Sequence, residues 1–195
     1  MLVTDVMTRE VVTVRRDATV KETLGLLASY RVTALPVVDD DGRLVGVVSE
    51  ADLIRESVPS DPRTHLGPLP AAPHPPRRVD EVFTPRPVTV RPYDDLAVAV
   101  ELMTTTSVKS LPVVDELGRV AGVVARSDVV RMLARADGVI EAELDDTYRS
   151  LGHPDWLVTV TDGSVEVVGP MGGGERSLAE VVARTVPGVV EVRVG

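Results

Sequence analysis

The chain opens as short valine-rich runs broken by one stretch of helical spacing. Val11 to Val14 predicts a short strand, since β-branched side chains fit a half-buried pleated surface. From Thr19 to Tyr30, the positions Val20, Leu24, Leu27 and Ala28 recur at helical intervals. Leu35-Pro36-Val37-Val38 predicts a second strand, with proline near its start, where a missing N–H is tolerated. Asp40-Asp41-Gly42-Arg43 predicts a hairpin turn in which the glycine supplies a positive φ. Leu44 to Val48 is nearly all apolar, which predicts a third strand buried on both faces. A second helix is predicted from Glu50 toward Ser57. The unit is β-α-β-β-α and is too small to bury its sheet alone.

The pattern then repeats. TALPVVDDDGRLVGVVSEADLIR (Thr33 to Arg55) aligns without a gap on KSLPVVDELGRVAGVVARSDVVR (Lys109 to Arg131). Pro36, Gly46 and Asp52 fall on Pro112, Gly122 and Asp128, and VVTVR at Val11 falls on PVTVR at Pro87. Two such units packed sheet to sheet would share one core. The segment between them, Val58 to Arg78, is proline-rich, lacks periodicity and reads as an extended linker. Its histidines, His65 and His74, are read as solvated linker residues rather than metal ligands, because nothing positions them.

A third unit begins near Asp137. Ile140, Leu144, Thr147/Tyr148 and Leu151 share one helical face. Asp162-Gly163 between valine-rich arms is a two-residue hairpin signal. Gly172-Gly173-Gly174 reads as a flexible turn, since no P-loop pattern surrounds it. Glu175 to Val186 carries Leu178, Val181, Val182 and Val186 on one face; Pro187-Gly188 ends that helix, and Val189 to Val194 predicts a last strand. Trp156 is either a surface anchor or a cap on this small core, the second reading being preferred.

Composition narrows the function classes. Aromatics are 3% of the 195 residues, so the core must be aliphatic. The absence of cysteine excludes disulfides, thiolate metal sites and cysteine nucleophiles. Net charge is -9, and from Ala134 onward acidic residues outnumber basic ones about two to one. That balance argues against nucleic acid and makes attachment to anionic lipid an unfavoured reading. No signal peptide and no membrane-length apolar run is read, so a cytoplasmic protein is expected.

The repeated pattern, a strand followed by h-x-x-h-P-V-V-D, a D-G hairpin and G-h-h-[ST]-x-x-D, resembles the CBS motif, and two copies resemble a CBS pair. The resemblance covers roughly residues 1–133. The expected fold class is mixed α/β (α+β): two β-α-β-β-α motifs (1–57 and 79–133) packed as a pair around the linker 58–78, plus a small α-β-β-α-β domain at 137–195. The last unit, with DGSVEVVG, a helix and VPGVVEVRV, resembles a BON domain, which implies a role in binding or tethering. The CBS resemblance implies clefts that often take adenosine-containing ligands: AMP, ADP, ATP, S-adenosylmethionine or a dinucleotide. No cofactor is required.

Carried onto this chain, the first cleft comprises Val12, Thr33, Ala34, Leu35, Pro36, Ser49 and Asp52. The second comprises Val88, Lys109, Ser110, Leu111, Pro112, Arg126, Ser127 and Asp128. Ser49 lies where a strand gives way to a helix start with unpaired N–H groups, so a phosphate can sit there with the Ser49 hydroxyl as a further donor. Asp52, one turn later, can accept from both ribose hydroxyls. Adenine needs an apolar slot, with Val12 on one side and Ala34 and Leu35 on the other. The same Ser49-x-x-Asp52 spacing is also close to a helix capping box, and the residue types alone leave both readings open. The copies depart from the pattern. Ala125 replaces the hydroxyl in the second, and Glu50 in the first would repel phosphate unless Arg31 and Arg55 offset it. Unequal affinities are therefore expected. Lys109 and Arg126 are either ligand contacts or solvated surface charges.

No catalytic motif occurs, and His153 and Asp155 read as turn residues rather than a dyad. No enzyme activity and no metal site are expected. Two readings stand: a regulatory sensor, expected to dimerise through the CBS pair and to act in trans on an unidentified protein partner, or a ligand-free dimerisation scaffold presenting the last domain.

Overall fold

The computed structural model describes residues 1–55 and 76–195. His65 and His74, most of the predicted linker and the far end of the helix predicted toward Ser57 lie outside the described residues. The fold is the mixed α/β one expected. It divides into two compact units, one formed by Thr8–Pro92 and Thr106–Val123, the other by Met1–Met7, Tyr93–Thr105 and Val124–Gly195.

The first unit holds β1 (Val14–Arg15), α1 (Val20–Tyr30), β2 (Ala34–Val38), β3 (Leu44–Ser49), α2 (Glu50–Ile54), β4 (Thr84–Pro85), β5 (Ser110–Val114) and the start of β6 (Val120–Ala125). Thr19 caps α1 reciprocally with Glu22: the Glu22 N–H donates to the threonine hydroxyl, and the Thr19 N–H donates to the Glu22 carboxylate. The Thr19 N–H and hydroxyl both donate to the Glu22 carboxylate and hold it below its ordinary value. The buried side of α1 is Val20, Thr23 and Leu27; Ala28, expected on that face, is exposed. Arg31 ends α1 in the left-handed region with φ 54.

Sheet order is β1-β2-β3-β4. β1 begins only at Val14, the last residue of the predicted Val11–Val14 strand, and pairs in parallel with β2, Val14 opposite Val37. β2 and β3 form an antiparallel hairpin with Ala34 opposite Ser49. Gly42 has φ 76 in its turn, and Asp39 Oδ1 accepts from the N–H groups of Asp41 and Arg43. Asp115 does the same for Leu117 and Arg119 in the second copy. β3 is not buried on both faces. Gly46 and Val48 are buried, while Val47 and Ser49 are half-buried. β4 comes from the second repeat but pairs with β3 of the first, Thr84 opposite Val47. The equivalent residues Thr8 and Val123 make the mirrored bridge. Each repeat thus lends its entry segment to the other's third strand. Gly46 permits this: a Cβ there would stand 2.6 Å from the Thr84 carbonyl oxygen and collide with the Phe83 ring. The core beneath is Val14, Val20, Leu27, Leu35, Val37, Val48, Leu53 and Val79.

The second unit holds α3 (Leu96–Thr105), α4 (Arg126–Leu133) and the C-terminal elements α5 (Asp137–Ser150), β7 (Leu157–Thr161), β8 (Ser164–Val168), α6 (Gly173–Thr185) and β9 (Glu191–Val194). β7 and β8 form the expected hairpin; Asp162 and Gly163 have φ 50 and 74, as a two-residue turn requires. β9 pairs in parallel with β8 after the α6 crossover. Along β7 every second residue is buried, so only one sheet face carries the helices.

Two expectations for this region are corrected. Gly172-Gly173-Gly174 is not a loose turn. Gly172 is the N-cap and the other two glycines begin α6, because the Glu175 carboxylate accepts the Met171 N–H at 2.8 Å and the Gly172 N–H at 3.4 Å. The buried face of α6 is Ala179 and Ala183, not Leu178 and Val181, which are exposed. Small residues let α6 approach Tyr148, whose hydroxyl donates to the Ala179 carbonyl at 2.7 Å. Burial pushes that phenol up to about 12. Trp156 is buried, edge-on to Tyr148 and stacked on His153, so it is part of the core.

Candidate functional site

The first unit contains a cavity of about 470 Å³, within the range of small-ligand sites. Thr33 and Ala34 at the start of β2, Val47 and Ser49 of β3, and Glu50, Ala51 and Asp52 of α2 form one wall. Thr84, Arg86, Pro87 and Val88 follow β4, and Ser107 to Pro112 lead into β5, on the other. The cavity lies where the crossed strand pairing brings the second repeat's entry segment to the first repeat's strand–helix junction.

That crossing regroups the predicted residues. Thr33, Ala34, Ser49 and Asp52 line the cavity as expected, but Val12 does not; it packs partly buried against the core. Its place is taken by Val88, predicted for the other cleft, because β3 pairs with β4 and not with the segment at Val12. Leu35 and Pro36 are buried and absent from the lining: in β2 they belong to the core. Lys109, Ser110, Leu111 and Pro112 line this same cavity beside Asp52. The second predicted group is therefore divided. Its first five members line the cavity of one unit, while Arg126, Ser127 and Asp128 belong to the other.

At the Ser49 junction the capping box is closed. The Ser49 N–H and hydroxyl both donate to Asp52 Oδ2, at 2.9 and 2.7 Å, and the Asp52 N–H donates back to Ser49 Oγ at 3.3 Å. The hydroxyl proton expected to meet a phosphate is thus committed to Asp52. The Glu50 N–H donates to the Thr33 carbonyl at 2.9 Å. The five-residue α2 has little left to offer an anion. Asp52 Oδ1, in contrast, carries no hydrogen bond among the described residues and belongs to a half-buried side chain on the cavity wall. It is placed to accept hydroxyl protons.

One of the charges comes from a residue the sequence did not single out. Arg86, exposed and in the left-handed region with φ 51, lines the cavity and makes no ion pair among the described residues. Lys109 Nζ lies 3.5 Å from Glu50 Oε1, both side chains largely exposed. Glu50 is thus offset by Lys109 rather than by Arg31 or Arg55. Ser107, φ 58, repeats the left-handed helix end seen at Arg31 and also lines the cavity. Only pairing between repeats places Arg86, Pro87 and Ser107 here, so no local motif announced them.

In the second unit the equivalent junction is occupied by its own side chains. Asp128 is buried; its Oδ2 accepts the Ala125 N–H at 2.9 Å and its Oδ1 accepts Arg131 Nη1 at 3.0 Å. Arg126 is exposed, and its Nη2 donates to the Met103 carbonyl at 2.6 Å. Ser127 is exposed. Among the described residues no cluster of metal-ligating side chains occurs, and no helix is long and apolar enough to cross a membrane.

The CBS domain family matches residues 3–59 and 79–135. A CBS domain-containing protein of Dictyostelium discoideum is 32% identical over 139 residues, which are 69% of this chain and 92% of that protein. The crystal structure of CBSX2, a CBS-pair protein of Arabidopsis thaliana, in complex with AMP is similar at 33% identity and a TM-score of 0.55, over 67% of this chain and 93% of that one. The cytosolic domain of the Mg2+ channel MgtE in complex with ATP is similar at 36% identity and a TM-score of 0.51, over 66% of this chain; the match spans 47% of that one. With both repeats matched over more than half of its length, the chain belongs to the CBS domain family.

Proposed function

We propose that this protein is a non-catalytic regulatory module that binds an adenosine-containing ligand in the cavity beside Asp52 and alters a partner protein's activity in response. One observation carries the reading: a 470 Å³ cavity lined by both repeats, with an Asp52 carboxylate oxygen on its wall that carries no hydrogen bond among the described residues. Asp52 Oδ1 accepts the ribose hydroxyls. Val88, Val108 and Leu111 supply apolar surface for a purine. Arg86 and Lys109 supply the positive charge for a phosphate. The AMP complex of CBSX2 and the ATP complex of the MgtE cytosolic domain support an adenine nucleotide as the ligand class. In this reading the second cleft is the weaker or empty one, since both Asp128 oxygens are engaged within the protein.

The C-terminal unit serves as an interaction domain of BON-like type; its order α5-β7-β8-α6-β9 supports that reading. Cytoplasmic location and self-association through the tandem pair belong to the same proposal. The closed capping box at Ser49 favours one rival, a ligand-free scaffold in which Asp52 is structural only. Thermal unfolding with AMP, ADP, ATP, NAD and S-adenosylmethionine separates them. A ligand at 100 times its dissociation constant adds about 2.7 kcal/mol, a melting shift of several degrees. No shift with any of them supports the scaffold.

A further inference from the structure

We infer that Glu50 makes the cavity selective for an adenosine ligand bearing one phosphate, against di- and triphosphates. This rests on the ligand-binding reading above and goes beyond it by fixing the charge of the ligand. Four charged side chains line the cavity: Glu50, Asp52, Arg86 and Lys109. They sum to zero, but they are not equivalent. Asp52 is tied to its own helix start through Oδ2, and Lys109 is paired with Glu50 at 3.5 Å. Arg86 is the one cation of the lining without an ion pair among the described residues, and its backbone is held in the left-handed region on the stretch after β4. A first phosphate therefore meets Arg86. Each further phosphate must either take Lys109 from Glu50 or stand beside the Glu50 carboxylate. Both routes cost Coulomb energy, and partial exposure reduces that cost without removing it.

Glu50 also differs between the repeats. Its counterpart is Arg126, which donates to the Met103 carbonyl. The acidic residue thus belongs to the first junction alone, and it accompanies the cavity.

The test is a calorimetric titration of AMP and ATP into the full chain at low ionic strength, for wild type, Glu50→Gln and Glu50→Gln/Lys109→Met. Wild type is expected to bind AMP more tightly than ATP. Glu50→Gln is expected to tighten ATP relative to AMP by about tenfold, because one carboxylate is removed and Lys109 is released. The double variant is expected to lose that gain. Ligand-free melting temperatures confirm that the variants fold. Wild-type preference for ATP, or an ATP-to-AMP ratio unmoved by Glu50→Gln, overturns the selectivity role while leaving nucleotide binding intact. Failure of every nucleotide to bind overturns the ligand-binding reading itself, and this inference with it.

Discussion

The two strand–helix junctions are copies in sequence and different objects in structure. At Ser49–Asp52 the carboxylate uses one oxygen for the cap, and the other, on a cavity wall, carries no hydrogen bond among the described residues. At Ala125–Asp128 both oxygens are taken, one by the Ala125 N–H and one by Arg131. Both repeats carry an arginine three residues after the aspartate, but only Arg131 reaches it. Arg131 stands inside the eight-residue α4, whereas Arg55 follows the five-residue α2 and makes no ion pair with Asp52. The lesson is that a repeated acid is left open to a cavity or bound within the protein according to what surrounds its own helix start. At the second junction the capping hydroxyl is lost, Ser49 to Ala125, and Arg131 bonds the second oxygen of the buried acid.

Substitutions can break this comparison. The largest effect is expected on binding. Asp52→Ala should remove the ligand-induced melting shift, a loss of about 2.7 kcal/mol at ligand 100 times its dissociation constant, while costing about 1 kcal/mol of ligand-free stability from the lost cap. Asp128→Ala should do the reverse. It strands the Ala125 N–H, so ligand-free unfolding in urea should lose about 1–3 kcal/mol while the response to ligand persists. If Asp128→Ala abolished the ligand response and Asp52→Ala did not, the two junctions would have been assigned the wrong way round.

Ala125→Ser sharpens the comparison from the other side. Restoring the capping hydroxyl should raise stability by about 0.5–1 kcal/mol in the same denaturation experiment. A third junction offers the smallest effect. The Glu175 carboxyl at the start of α6 is held below its ordinary value, chiefly by the Met171 and Gly172 N–H groups. A depressed carboxyl contributes stability above its unfolded pKa, lost as pH falls through the folded value. Wild type should therefore lose more stability than Glu175→Gln between neutral pH and the acid range below about 4.3. Parallel pH profiles of the two proteins would remove Glu175 from the account.

Much of the fold was legible because its determinants are local. The Asp-Gly turns, the Thr19 cap and the alternation in β7 are all set by residues a few positions apart. The doubled register also carried both junctions. What stayed hidden was long-range. Val88, not Val12, shares the cavity with Asp52 because β4 crosses to the other repeat's strand, and nothing in either segment encodes that exchange. Arg86 and Ser107 enter the cavity for the same reason. The face of α6 was misread because close approach to Tyr148 favours Ala179 and Ala183 over the larger Leu178 and Val181, a packing effect that hydrophobicity alone ranks backwards. The commitment of Asp128 to Arg131 was hidden as well, because Arg55 stands at the same spacing from Asp52 and makes no such pair.

The most direct test of the central claim is a calorimetric titration of AMP into wild type, Asp52→Ala and Asp128→Ala. The account predicts saturable binding that Asp52→Ala removes and Asp128→Ala keeps. Undiminished binding by Asp52→Ala, or no heat in wild type, would contradict it.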